Sequence, residues 1–383
     1  MTCRARLTTK ANIAISQVTT LYTARFKKRT IAFILPIAEA GGGGNVIVQE
    51  MEAMRRLGAE PYAINDLRHK ESFEKAYPNC NTIYFGATGE NSLAEVLQAK
   101  NIQLDLLVAT TFRSFSLLPN DPRYKLAYYI QDMENRFFEA RDPRAAAQAL
   151  ATYRNRPEVV RITKSEWNKQ QIVAVGGFTP QVVGPSVDVK HFFPRSDARL
   201  GRHHVPRITA MVRPDTPRRE PERTLRVLRR LKDKFGAGIW VDCFGGTYRD
   251  LSSFGIPLSG IKVWGRLVPN QVAELLGRTD MFLDLSEWQA MGLTTLEAMA
   301  SGAAVIVPQN GGTTEFCIHG ESGIVLDGSD EDAYFNAASA LIRDSHTRFG
   351  LGKKAMEVAS VLSPEVAAYK FLNCFWNEAP IPL

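Results

Sequence analysis

From Thr30 onward the chain alternates short apolar runs with stretches of helical periodicity, and this alternation constrains its fold more than any other feature. TIAFILPI reads as a buried strand, GNVIVQEMEAMRRLG as an amphipathic helix ending at Gly58, and EPYAIN as the next strand. NTIYFG, LDLLVAT, KLAYYIQ and VVRITKS continue the strands, with helices over DPRAAAQALATYRN and EWNKQQIVAVG. Apolar runs without polar alternation suit strands covered on both faces, and the helical stretches between them provide the cover. The pattern predicts βαβ units around a parallel sheet.

The alternation breaks once. Prolines, a glycine and basic residues interrupt QVVGPSVDVKHFFPRSDARLGRHHVP and place a linker near 185–205. It then resumes through ITAMV, PERTLRVLRRLKDKFG, GIWVDCFGG, IKVWGRL, NQVAELLGRTD, MFLDLS and DEDAYFNAASALIRD. Two successive α/β domains are expected, which suits 383 residues at about 100–200 residues per domain. SPEVAAYKFLNCFWNE follows the second domain's own units and reads as an amphipathic helix returning to the first. The predicted organisation is a basic N-terminal extension 1–29, an N-terminal domain 30–190, a C-terminal domain 191–362 and a C-terminal helix within 363–383.

Charge and cysteines narrow the function classes. Of 47 Lys and Arg, seven precede Thr30 with no acid among them, so the remainder carries 40 bases against 40 acids. The net charge of +7 is thus an N-terminal property and argues for no nucleic-acid surface. The basic stretch reads as a solvated lead-in, with a transit-like leader or a peripheral contact to an anionic membrane as the other readings. The longest apolar run, Ile31 to Ala38, is too short for a bilayer span, which needs about 20 residues. Five scattered cysteines without CxxC spacing fit neither a disulfide framework nor a zinc site, and a cytoplasmic location is expected.

Three motifs carry candidate chemistry. In PIAEAGGGGNVIVQE, glycines including Gly43 and Gly44 stand between a strand and a helix, where backbone and helix N-terminus meet an anion or a sugar; a structural turn and a dinucleotide loop are the alternatives. In MVRPDTPRREPERTLRVLRRLK, Arg213 follows a strand and Arg218 and Arg219 precede a helix, a placement that suits a diphosphate. In WQAMGLTTLEAMASGAAVIVPQNGGTTE, a helix runs from Gly292 to Gly302 between two strands and holds Glu297 among small and apolar residues. A carboxylate buried there needs hydrogen-bond donors, either sugar hydroxyls or a basic neighbour. The acids Asp330 to Asp332 read as helix capping rather than a metal site.

Together these residues resemble the retaining glycosyltransferases of family 4, whose donor domain carries EGFGLxxLEAMAxGxPVV followed by GGxxE. QAMGLTTLEAMASGAAVIVPQNGGTTE matches from Gly292 onward, and the glycine loop, GPSVDVKHFFP, VRPDTPRR, GESGIVL and the crossing C-terminal helix extend the likeness through most of the chain. The resemblance implies the GT-B fold, two Rossmann-like domains facing across a cleft. It assigns Glu297 to the ribose hydroxyls of the nucleotide, Arg213 and Arg219 to the diphosphate, and the helix start at Gly292, Leu293, Thr294 and Thr295 to phosphate or sugar. Arg218, Gly43 and Gly44 join the donor-binding set.

Two positions depart from the family pattern. Gln289 stands where the family has a sugar-contacting glutamate, and YYIQDMEN puts Gln131 and Asp132 where many members have a histidine. They become the sugar and acceptor candidates, and with VRPDTPRR they look most like rhamnosyltransferase-type members, which points to a 6-deoxyhexose donor. The implied activity is transfer, with retention, from a nucleotide diphosphate sugar to a glycan or lipid-linked acceptor of cell-surface polysaccharide, with no cofactor and no metal. The alternatives are a nucleotide-sugar hydrolase or epimerase, and a non-catalytic nucleotide-binding partner of a polysaccharide assembly complex.

Overall fold

A computed structural model describes residues 26–38, 41–86, 93–99, 103–195 and 204–376, and in it the apolar runs become two parallel sheets. The N-terminal sheet holds β1 (Thr30–Ile34), β2 (Glu60–Asp66), β3 (Thr82–Phe85), β4 (Leu106–Ala109), β5 (Lys125–Ile130), β6 (Val160–Thr163) and β7 (Gln181–Val182). Their order is β3-β2-β1-β4-β5-β6-β7, with every pairing parallel. The second sheet holds β8 (Arg207–Met211), β9 (Trp240–Phe244), β10 (Ile261–Val263), β11 (Met281–Leu283), β12 (Ala304–Pro308) and β13 (Ile324–Leu326), in the order β10-β9-β8-β11-β12-β13, again parallel. The strand order reverses between β1 and β4 in one sheet and between β8 and β11 in the other. At such a reversal the loops leave in opposite directions and open a crevice at the strand carboxyl ends.

Among the described residues, those up to Ser186 and the helix Pro364–Trp376 form one compact unit, and those within Val187–Ser363 form the other. These divisions fall four residues before and one after the boundaries expected at 190 and 362. In the N-terminal unit, α1 (Gly42–Arg56) covers the sheet through Ile47, Met51 and Met54, all buried against Phe33 and Val108. Each such side chain contributes about 1.5–3 kcal/mol by leaving water. The helix Pro364–Trp376 belongs to this same core: Phe371 lies 5.5 Å from the Phe33 ring and 5.3 Å from Tyr129, and Glu365 pairs with Arg56 at 2.8 Å. It is therefore the helix that returns to the first domain.

A fully buried polar network lies beneath β5 and β6. Lys164 pairs with Glu50 Oε1, to which Ser186 also donates at 2.8 Å, while the Tyr129 hydroxyl donates to Oε2 at 2.7 Å. Burial lowers the Lys164 pKa, and the Glu50 carboxylate opposes that shift.

The C-terminal unit packs α2 (Pro221–Phe235) on the sheet through Leu225, Leu228 and Leu231. The helix Ser345–Ala359 has no counterpart in the expected pattern. It carries Gly352 because a side chain there would bring Cβ to 2.4 Å from the Gly302 carbonyl oxygen. Of the basic stretch 1–29, residues 1–25 lie outside the described residues; Phe26 is buried and Arg29 faces Asp105 at 3.5 Å. Among the described residues no helix is long and apolar enough to cross a membrane.

Candidate active site

In the C-terminal unit the second and third motifs meet where the strand order reverses. α3 (Leu293–Ala300) starts at Gly292, whose φ of +78° lies in the left-handed region, and no side chain caps it. A Cβ on Gly292 would stand 2.1 Å from Thr313 Cγ2, so both conformation and space require glycine. The first N–H groups of α3 have no side-chain cap, and the helix dipole favours an anion there. Thr294 Oγ1 lies 3.7 Å from Met211 Sδ, which ties the helix start to the end of β8.

Two residues past β8, the Arg213 guanidinium makes no hydrogen bond or ion pair among the described residues. Burial of its guanidinium, then repulsion from Arg218 and Arg266, holds its pKa below the usual arginine value, with Asp215 opposing. Gly245 and Gly246, just beyond β9, make room for this end of the strand. A Cβ on Gly245 would lie 3.1 Å from Arg213 Cγ, and one on Gly246 would lie 2.7 Å from Pro214 Cδ. Arg218 stacks 4.6 Å over the Trp288 ring, and its carbonyl accepts the Glu287 N–H at 2.8 Å, so the two motifs are joined directly. Arg219 ends the turn Pro217–Arg219, ahead of Glu220 at φ +49°.

Glu297 is 8% exposed, and its carboxylate makes no hydrogen bond or ion pair among the described residues. Burial alone pushes its pKa up to about 8. The alternative of a salt bridge to a basic neighbour is therefore not realised. Gln289 is turned inward: its amide NH2 donates to Asp284 and, at 3.0 Å, to Ser286 Oγ, while its Oε1 is buried and accepts nothing among the described residues. Its backbone pairs with Gly311, where φ is +133° and a Cβ would lie 2.4 Å from the Gln289 carbonyl oxygen. This is why the sequence reads GGTTE after β12.

The N-terminal unit carries Gly43, Gly44, Gln131 and Asp132. Gly43 opens the first turn of α1 opposite Gln131, whose Oε1 would lie 3.6 Å from a Cβ there, while Gln131 Nε2 is buried without a partner among the described residues. Gly44 is buried, and a Cβ on it would lie 2.5 Å from Ile37 Cδ1 and 3.0 Å from the Tyr77 hydroxyl, so this glycine serves close packing. Asp132 Oδ1 accepts the Met133 N–H at 3.0 Å. Sequence reasoning missed Glu134, two residues on. It receives the Phe112 N–H at 2.7 Å and the Tyr128 hydroxyl at 2.5 Å, and burial still pushes its carboxyl up to about 7.

Asp330 caps its helix by accepting the Ala333 N–H at 2.8 Å, and Asp332 pairs with Arg230 at 2.6 Å. Among the described residues no group of three or more His, Cys, Asp or Glu side chains is placed to hold a metal ion.

Residues 194–358 match the family model described as Glycosyl transferases group 1. The match falls within the C-terminal unit and spans Arg213, Gln289, α3 and Glu297. The chain is 27% identical over 216 residues to a D-inositol 3-phosphate glycosyltransferase of Corynebacterium glutamicum, 52% of this chain and 51% of the relative. It is 36% identical over 88 residues, 23% of each chain, to the N-acetyl-alpha-D-glucosaminyl L-malate synthase of Bacillus anthracis. The chain thus spans about half of the first relative's length and less than a quarter of the second's. Anabaena HepE, solved with UDP and glucose, superimposes with a TM-score of 0.72 at 15% identity, covering 91% of this chain and 100% of that one. That likeness shows the fold, and the expected GT-B class with two Rossmann-like α/β units is the fold of this chain. The expected likeness to rhamnosyltransferase-type members gains no support, because these relatives are named for other reactions.

Proposed function

We propose that this chain is a group 1 glycosyltransferase that moves a hexosyl group from a nucleoside diphosphate sugar to a hydroxyl acceptor, with the nucleotide held by the C-terminal unit. The observation that carries this reading is Glu297, a buried carboxylate without a partner, on the helix whose uncapped start adjoins the Arg213, Arg218 and Arg266 cluster. Vicinal ribose hydroxyls satisfy the carboxylate, while the guanidinium of Arg213 and the α3 N–H groups meet the diphosphate.

Chemically, the bond from the sugar C1 to the phosphate oxygen breaks and one from C1 to the acceptor oxygen forms. The departing phosphate takes the acceptor proton, so no protein base is required. Fixed cations and helix N–H groups stabilise the charge that develops on the leaving group. Retention of configuration and independence of metal belong to this proposal, and undiminished transfer in EDTA checks the second.

The matched relatives' names widen the acceptor from a glycan or lipid-linked chain to small polyol phosphates and hydroxy acids. A 6-deoxyhexose donor rests on Gln131, Asp132 and the VRPDTPRR string. Membrane contact through residues 1–29 is tested by liposome partition with and without them.

The test is thermal shift against UDP, GDP and dTDP, followed by product analysis with the matching sugar nucleotides. A ligand at 100 times its Kd adds about 2.7 kcal/mol. Stabilisation by one nucleotide and sugar transfer to an acceptor are expected. Sugar release without any acceptor would instead indicate a hydrolase, and nucleotide binding without turnover a non-catalytic partner.

A further inference from the structure

Asp284 follows β11 directly and is 8% exposed. Its carboxylate accepts four hydrogen bonds. Oδ1 takes the Ser286 N–H at 3.1 Å and the Ser286 hydroxyl at 2.6 Å; Oδ2 takes the Thr295 hydroxyl at 3.1 Å and the Gln289 amide. It thereby binds the end of a central strand, the loop before α3 and the first turn of α3 into one piece.

The chemistry of this cluster fixes which way Gln289 points. A carboxylate only accepts, and Ser286 Oγ already donates its hydrogen to Asp284, so the amide must present its NH2 to both. Gln289 Oε1 is then held away from them, buried and accepting nothing among the described residues. A buried acceptor without a donor is what a ligand hydroxyl satisfies. Where the family pattern has a carboxylate at position 289, this chain has an amide, with the carboxylate one contact behind it.

We propose that Asp284 carries the negative charge position 289 lacks and, by taking the Gln289 NH2, holds Gln289 Oε1 as the acceptor for a hydroxyl of the donor sugar. Asp284 is then a positioning residue, and the assignment rests on the reading that the C-terminal unit binds a nucleotide sugar. An amide and a carboxylate in contact can exchange places in a way that two carboxylates cannot. Combining Asp284→Asn with Gln289→Glu keeps one charge and one NH2 across the contact. Gln289→Glu alone sets two carboxylates against each other, and such a pair must share a proton near neutral pH.

The experiment compares the wild type with Asp284→Asn, Gln289→Glu and the double variant, using UDP and UDP-glucose, or the GDP or dTDP pair if the nucleotide panel selects another base. Asp284→Asn is expected to weaken sugar-nucleotide binding about tenfold, one hydrogen bond's worth, and to leave nucleoside diphosphate binding within about twofold. Gln289→Glu should show a step in its pH profile, with donor KM rising as the shared proton is lost. The double variant should lack that step and recover the donor KM. Glu297 titrates in every variant, and Tyr334 faces Asp284 by donating to its carbonyl at 3.0 Å, so the diagnostic is a step confined to Gln289→Glu.

Equal weakening of both ligands by Asp284→Asn, or no recovery in the double variant, would make the residue a structural tether and overturn the assignment. Failure of the wild type to bind any nucleotide would overturn the glycosyltransferase reading with it. Normal wild-type binding with an unmoved Gln289→Glu profile would overturn the role of Asp284 alone.

Discussion

Replacing Glu297 by Gln isolates the charge on which the proposed nucleotide site would depend. Burial raises the carboxyl from 4.5 to about 8. With the folded value above the unfolded one, ionisation opposes folding. The penalty is absent below about pH 4.5, grows as the pH rises toward 8 and is complete above it. At 1.36 kcal/mol per pH unit the full penalty is roughly 3–5 kcal/mol. The ligand-free protein should lose that much stability between about pH 5 and 8, and Glu297→Gln should not. At pH 7 roughly nine in ten molecules hold the proton before binding. Ribose hydroxyls donate to the ionised form and favour it, so nucleotide binding should release up to about 0.9 proton at pH 7 and almost none at pH 9. Calorimetry of UDP binding in phosphate and in Tris measures that release directly, and Glu297→Gln should bind more weakly with none. Tight UDP binding with no proton release at pH 7, or equal release by the variant, would refute the placement of the ribose on Glu297.

Other substitutions test the surrounding parts. Arg213→Ala removes a guanidinium without an internal partner, so thermal stability should hold while UDP affinity falls about tenfold to a hundredfold, the value of a charge-assisted hydrogen bond. Gly292→Ala must place Cβ against Thr313 at φ +78° and should cost at least about 1–3 kcal/mol in urea unfolding. Lys164→Met leaves Glu50 charged in the N-terminal core and should cost about 3–5 kcal/mol; adding Glu50→Gln should recover much of it, as a double-mutant cycle by thermal unfolding would measure.

Much of this fold was legible because parallel strands buried on both faces cannot alternate polar and apolar residues, so runs such as LDLLVAT and AAVIVP identify themselves. The short helices Phe112–Phe115 and Glu134–Phe138 were not legible, since four or five residues hold no period to read. The helix Ser345–Ala359 was hidden differently. It buries Arg348, which donates to the Leu341 carbonyl, and uses Gly352 to approach Gly302, so its buried face lacks the usual apolar stripe.

The site divides along the same line between local pattern and spatial pairing. Gly292 and Glu297 were readable because conformation and burial leave marks in the sequence, a glycine before a small-faced helix and an acid inside it. Whether Glu297 was paired was not readable, because partners come from elsewhere in the chain, and only the folded unit shows that no cation among the described residues reaches it. Asp284 was overlooked although MFLDLS carries an acid in an otherwise apolar strand, the same kind of mark that singled out Glu297. The two acids, one at the end of β11 and one on α3, are treated oppositely. Asp284 is saturated by four donors and Glu297 has none. A protein selected for stability alone would gain by supplying Glu297 with a donor or replacing it with an apolar residue, since an unpartnered buried carboxyl is costly. Keeping one acid satisfied and the other vacant makes sense when the vacant one awaits hydroxyls from outside the chain.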